Sequence, residues 1–159
     1  MKIEKIECFP LNAKIAKPIR IAYTQFTHVR SHIVRLTTDT GITGIGESVT
    51  RTAPRAFKYI IEETLAPHII GRDPVDIAGI WQEMFSAMKL RGHTKGHFVE
   101  AISGVDIALW DIVAKEAGLP VYKAMHGFGR EEIPVYGSSV FNGEIKDMVR
   151  QAEALVEKK

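Results

Sequence analysis

The segment HFVEAISGVDIALWDIVAKEAG, His97 to Gly118, carries a sustained apolar pattern that decides how the rest of the 159-residue chain is read. Phe98, Ile102, Val105, Leu109 and Ile112 recur at steps of four, three, four and three. That spacing stacks side chains on one face of a 3.6-residue helix. Ala101, Ala108, Trp110 and Val113 widen the stripe, so the helix is covered on more than one side. Gly118 occupies the position of a C′ glycine and Pro120 follows where a helix can no longer continue. A helix of this kind lies inside a domain.

Upstream, SHIVRLTTDTGITGIGES (31–48) reads as a hairpin. Ile33 to Thr38 is rich in β-branched residues, Asp39-Thr40-Gly41 makes the turn, and Ile42 and Ile45 return on a strand interrupted by Gly44 and Gly46. Ile3, Ile6 and Cys8 alternate with charge and predict a short first strand. Residues 12–30 contain Pro18 and no sustained period, which predicts a long loop, either a lid or a disordered segment; Ile21, Tyr23 and Phe26 weigh against disorder.

A second loop, Ser48 to Ala53, leads to a helix opened by Pro54 and ended before Pro67, with Phe57, Ile60, Ile61, Thr64 and Leu65 on one face. Asp73-Pro74 suits the N-cap and N1 of the next helix, whose stripe is Ile77, Ile80, Trp81, Met84, Phe85 and Met88. Arg91 to Gly96 breaks it. Beyond the long helix, Ile133 to Val140 reads as a strand and Glu144 to Lys158 as an amphipathic, solvent-facing helix. Three strands, three helices, then one strand and one helix make an α+β chain with a βα unit appended.

Composition narrows the classes of function. Apolar residues make up 45%, and 21 Lys plus Arg stand against 19 Asp plus Glu without a basic run, which argues against nucleic acid as partner. Cys8 is the single cysteine, so no intrachain disulfide forms, and a reducing, cytoplasmic setting is expected. No stretch approaches the roughly 20 apolar residues that span a bilayer, so no membrane association is expected.

Several residue groupings match no chemistry. His93, His97 and Glu100 have the spacing of metal ligands on one helical face but no His-Glu-x-x-His, and glycines flank the histidines. Gly44-x-Gly46 lacks the rest of a phosphate loop, and Gly137-Ser138-Ser139 is not an esterase elbow. Asp106 and Asp111 sit about 140° apart around the helix and cannot work as an acid and base pair. A structural role is expected: Asp111 with Lys115 at i,i+4, and Asp106 held by backbone or arginine partners.

AISGVDIALWDIVAKEAGLPVYKAMHG (101–127) resembles the closing segment of the N-terminal capping domain of the enolase superfamily, in its mandelate racemase and muconate lactonizing branch. TTDTGITGIGES (37–48) resembles the strand pair before that domain's second capping loop, and GREEIPVYGSS (129–139) the lead-in to its barrel. The resemblance covers essentially the whole chain, and wording from Arg91 onward leans to the group that includes acid-sugar dehydratases. It implies a capping domain over residues 1–130, a three-stranded antiparallel sheet followed by a three-helix bundle. Residues 131–159 would be the first β/α unit of an incomplete TIM-type barrel.

The resemblance further implies an isomerase or lyase that abstracts a proton α to a carboxylate through an enediolate stabilised by Mg²⁺. The barrel would supply a Lys-x-Lys pair, three carboxylate ligands and often a His-Asp pair. A complete barrel needs at least about 200 residues, so these groups are expected beyond Lys159. The chain itself is then expected to be inactive, to hold no catalytic residue and to bind no metal. The alternative is a non-catalytic binding or assembly module that keeps the capping fold. Tyr23, Thr24, Gln25 and His28 on the first loop, Val49, Thr50 and Arg51 on the second, and Ser138 and Ser139 at the first barrel strand would meet a small carboxylate substrate. A barrel strand without neighbours leaves an open edge, so residues past about 130 are expected to rearrange or to pair with a second copy, giving a homo-oligomer.

Overall fold

The computed structural model describes residues 1–21, 23–126, 132–138 and 140–157. Its described residues form two compact units: Met1–Asn12 with Arg30–Gly129, and Ala13–Val29 with Arg130–Lys159. The first holds the core.

A three-stranded antiparallel sheet in the order β1-β2-β3 is built from β1 (Ile3–Ile21), β2 (Thr24–Thr38) and β3 (Thr43–Ser48). The expected loop over residues 12–30 is therefore a correction: β1 runs to Ile21 and β2 begins at Thr24. A buried face normally betrays a strand by alternation, and this extension has none. Ile15, Ile19 and Ile21 are half-buried, Lys17 interrupts them, and most of the other residues are exposed. Pro18 is tolerated because β1 is an edge strand, where a missing N–H need not break a ladder.

The hairpin from β2 to β3 follows the sequence closely. Its register pairs His32 with Ser48, Val34 with Gly46 and Leu36 with Gly44. Gly41, at φ 85°, closes the turn by donating its N–H to the Thr38 carbonyl at 2.9 Å. His32, Val34, Leu36 and Thr38 of β2 and Gly44, Gly46 and Ser48 of β3 face inward.

Helix α1 (Pro54–Tyr59) continues as a π-helical stretch, Ile60–Leu65, and a 3₁₀ turn, Ala66–His68. The regular helix expected before Pro67 thus widens, and the sequence contains the reason. Phe57, Ile61, Leu65 and Ile69 are all fully buried at strict steps of four. Four residues of α-helix overshoot a full turn by about 40°, so the wider π turn keeps this stripe from drifting off the core.

Helix α2 (Ile77–Lys89) starts three residues later than expected. Asp76, not Asp73, accepts the N–H of Gly79 at 3.1 Å. Asp73 instead accepts the N–H of Val75 in a turn around Pro74. Asp76 and Glu83 are both held by Arg72.

Helix α3 (His97–Glu116) is the predicted one. Ala101, Ile102, Val105, Ala108, Leu109 and Ile112 are fully buried. It ends in a Schellman arrangement: Gly118, at φ 65°, donates to the Lys115 carbonyl at 3.1 Å and Leu119 to that of Ala114 at 2.9 Å. A short helix that the sequence reading missed, α4 (Val121–His126), follows Pro120.

Packing of α3 on β3 brings backbone against backbone. A Cβ placed on Gly46 would strike the Gly104 carbonyl, and one on Gly44 would strike that of Ala108. Conversely, a Cβ on Gly104 would run into the Ser48 hydroxyl. The glycines of GITGIG are where the sheet admits the helix.

In the second unit α5 (Ile145–Val156) forms as expected from the sequence and has no fully buried residue. The strand predicted over Ile133 to Val140 is absent among its described residues, which have no regular structure. A parallel barrel strand takes its hydrogen bonds from neighbouring strands, and the described residues hold no strand beyond β1, β2 and β3. Gly137 packs against Leu155, and Phe141 exchanges hydrogen bonds with the side chain of Gln151.

Candidate functional site

The residues expected to meet substrate fall into both units. Tyr23, 89% exposed, stands in the turn between β1 and β2, followed by exposed Thr24 and Gln25 at the start of β2. His28 is half-buried, and its Nδ1 lies 2.9 Å from the Thr27 hydroxyl. A hairpin therefore presents these side chains where a loop was expected. Ser138 is exposed in the second unit, and Ser139 lies outside the described residues.

The second loop continues the inward alternation of β3. Val49 is exposed, Thr50 is buried and Arg51 is exposed. The loop ends on Ala53, a non-glycine residue at φ 39°, ψ 55°, immediately before Pro54. A side chain disfavours that left-handed conformation by about 1–2 kcal/mol, and the following proline ordinarily holds its neighbour in the extended region. Strain of this kind persists only where surrounding structure imposes it.

Beneath this loop lies a polar group that the sequence reading passed over. His32 and Ser48 are fully buried cross-strand partners and Thr50 is 8% exposed. Both ring nitrogens of His32 and the hydroxyls of Ser48 and Thr50 are buried with no hydrogen-bond partner among the described residues. Among the described residues, only the ring of Phe57 is in ring contact with the imidazole, at 5.9 Å between centroids. Burial lowers the pKa of His32, since no facing group compensates a charged ring. Leaving such an atom unsatisfied costs about 1–3 kcal/mol, and four of them would approach the roughly 5–15 kcal/mol that holds a whole domain together. A histidine at an inward position of the β-branched run was the available signal.

Helix α3 carries the two aspartates in different roles. The Asp111 carboxylate accepts the N–H of Ile45 at 2.8 Å and the Lys115 ammonium at 2.7 Å, while Lys115 also donates to the Thr43 carbonyl at 2.9 Å. The predicted Asp111–Lys115 pair is present, and it clasps the outer edge of β3. Asp106 departs from expectation: among the described residues neither backbone nor arginine binds it. It lines an open groove of about 630 Å³ with Val75, Ile77, Trp81, Trp110 and Val113. Burial there raises its pKa.

His93, His97 and Cys8 each sit in a packed setting. His93 lies against Phe98 and His97 against Phe57, so the two rings serve different aromatic partners. Burial pushes the Cys8 thiol up to about 12, with Glu62 adding to the shift, which leaves it protonated and inert. Among the described residues no three His, Cys, Asp or Glu side chains converge on a point where a metal could sit. The described residues thus assemble no donor set of the kind Mg²⁺ takes. No helix among the described residues is long and apolar enough to cross a membrane.

Comparison with known proteins places this geometry. Residues 4–125 match the family of the mandelate racemase / muconate lactonizing enzyme N-terminal domain. The chain is 43% identical over 106 residues to a D-galactonate dehydratase family member of Paenibacillus sp. strain JDR-2, covering 66% of this chain and 26% of that protein. Among solved structures it superposes on an enolase-superfamily member from Polaromonas sp. JS666 with a TM-score of 0.88 and 32% identity, over 99% of this chain and 42% of that one. A racemase from Streptomyces coelicolor A3(2) with bound magnesium superposes with a TM-score of 0.68 and 27% identity, over 72% of this chain and 32% of that one. The chain thus spans about a quarter of the curated relative and under half of the solved ones. A capping sheet and helices with this match over most of their length identify the chain as a member of the mandelate racemase and muconate lactonizing enzyme family, of which it carries the N-terminal domain.

Proposed function

We propose that this chain is the lid-forming part of a Mg²⁺-dependent isomerase or lyase that removes a proton α to a carboxylate. The observation carrying this reading is the family match over residues 4–125, joined to relatives named as dehydratases and racemases. The metal would lie on residues outside those described here, where it would stabilise an enediolate. What this chain contributes is positioning. The hairpin tip, with Tyr23, Thr24, Gln25 and His28, and the second loop, with Thr50 and Arg51, would contact the distal part of a small carboxylate and keep water from the reacting carbon; Ser138 and Ser139 would add hydrogen bonds. Arg51, the one guanidinium among them, is the natural partner of an anionic substrate.

Taken alone, the 159 residues are proposed to be catalytically inactive. NMR of α-proton loss in D₂O with Mg²⁺, across acid sugars and dipeptides, should detect no exchange above the blank. Genuine turnover would overturn the assignment of chemistry to residues outside this chain. In the protein that joins it to a barrel, Tyr23→Ala and Arg51→Ala should each lower kcat/KM by about tenfold or more, and unchanged kinetics would remove these residues from the site.

A second reading, a non-catalytic assembly module, draws support from a first unit whose core is complete without barrel residues. Exposed Ile133, Val135 and Tyr136 in the second unit support self-association with another copy. Sedimentation of the chain as a strict monomer at all concentrations would contradict that part.

A further inference from the structure

We propose that His32, Ser48 and Thr50 form an internal hydration site, in which one or two ordered water molecules fasten the second loop to the sheet. The four unpartnered atoms lie on one side of the hairpin: His32 and Ser48 are paired across the strands, and Thr50 continues the same inward alternation two residues on. Residues facing each other on an antiparallel pair have Cβ atoms about 4.5–5.5 Å apart, which puts the imidazole and the hydroxyl within reach of a shared water. Their chemistry is complementary to water. A neutral imidazole offers one donor and one acceptor, and each hydroxyl can serve as either. Buried waters make about three hydrogen bonds to groups of this kind. No side chain of the described residues bonds to any of the four atoms, so each keeps its full capacity for a water molecule.

The consequence is mechanical. Val49 and Arg51 flank Thr50, so a water held by Thr50 and His32 ties an exposed, strained loop to the strand pair below it. The site does not depend on the proposed function, because hydration would persist even if Arg51 never met a substrate.

Crystallography of the 159-residue chain at a resolution that orders internal solvent tests it directly. The expected result is a solvent peak within hydrogen-bonding distance of one His32 nitrogen and of the Ser48 or Thr50 hydroxyl. A dry cluster in which His32 bonds Ser48 directly would overturn the proposal. A Ser48→Ala, Thr50→Val double variant adds a functional readout. Amide exchange of residues 49–53 should accelerate about tenfold or more while α3 amides stay unchanged; equal exchange of these residues in variant and wild type would count against anchoring. If that variant does not fold, water-to-imidazole cross-relaxation at His32 in the unaltered chain decides, with long-lived contact expected and its absence refuting the site.

Discussion

The two units of this chain use opposite means to hold a helix. In the first, α3 lies so close to β3 that Gly44, Gly46 and Gly104 leave no room for a methyl group, and Asp111 and Lys115 bind the strand's outer edge. In the second, α5 has no buried residue and is fastened by Leu155 against Gly137 and by Gln151 against Phe141. The difference teaches that apolarity and a receiving backbone go together: α3 carries a wide apolar stripe and meets a strand cleared by glycines, whereas α5 has one narrow apolar face and buries none of it. Both helices are amphipathic, and one of them has found a complementary surface.

That contrast can be broken most sharply at Gly46. Gly46→Val would force a side chain into the Gly104 carbonyl and should abolish cooperative unfolding, seen as loss of the thermal transition; a folded variant with an unchanged midpoint would show that the close approach is dispensable. Leu109→Ala, at a fully buried position, should lower stability by about 2–5 kcal/mol in denaturant titration. Asp111→Ala removes a charged acceptor from the β3 edge and should cost about 1–3 kcal/mol, with faster exchange of the Ile45 amide as the specific sign. Ala53→Gly should raise stability by about 1 kcal/mol by relieving the left-handed strain, and a loss instead would mean the methyl group has a packing role.

His32 supplies a pH effect of definite sign. Its folded pKa is depressed by burial, so the unfolded chain binds more protons below the ordinary histidine value of about 6.5. Stability should therefore be fully present above that value and fall as pH drops toward the folded pKa. Comparing the chain with His32→Leu by chemical denaturation isolates the slope from that of Asp106, which runs the other way. The smallest effect is expected in the second unit, where Val149→Ser on exposed α5 should change the unfolding of the first unit by less than about 0.5 kcal/mol.

Much of the first unit was legible because burial imposes a period. The 97–118 stripe, its glycine stop and the 33–45 hairpin could be read from spacing alone. The β1–β2 extension was not legible, since a two-residue period appears only where one face is buried and the other is wet, and here most positions are exposed. The strand expected at 133–140 failed for the complementary reason: its composition suits a sheet whose other strands are not among the described residues. Of the site, the wording of the motif pointed to the two loops. It could not reveal that Thr50 turns inward, that Asp106 opens onto a groove, or that His32 lacks a partner, because each depends on which atoms lie opposite in three dimensions.

The clasp formed by Asp111 and Lys115 also bears on how this sheet can fail. A bare outer strand is a template on which another chain can lay down its own, and repeated addition leads to fibrils. With the Ile45 amide and the Thr43 carbonyl already engaged by a helix, templated growth past β3 is hindered, and on the β1 side Pro18 has no N–H to offer an added strand.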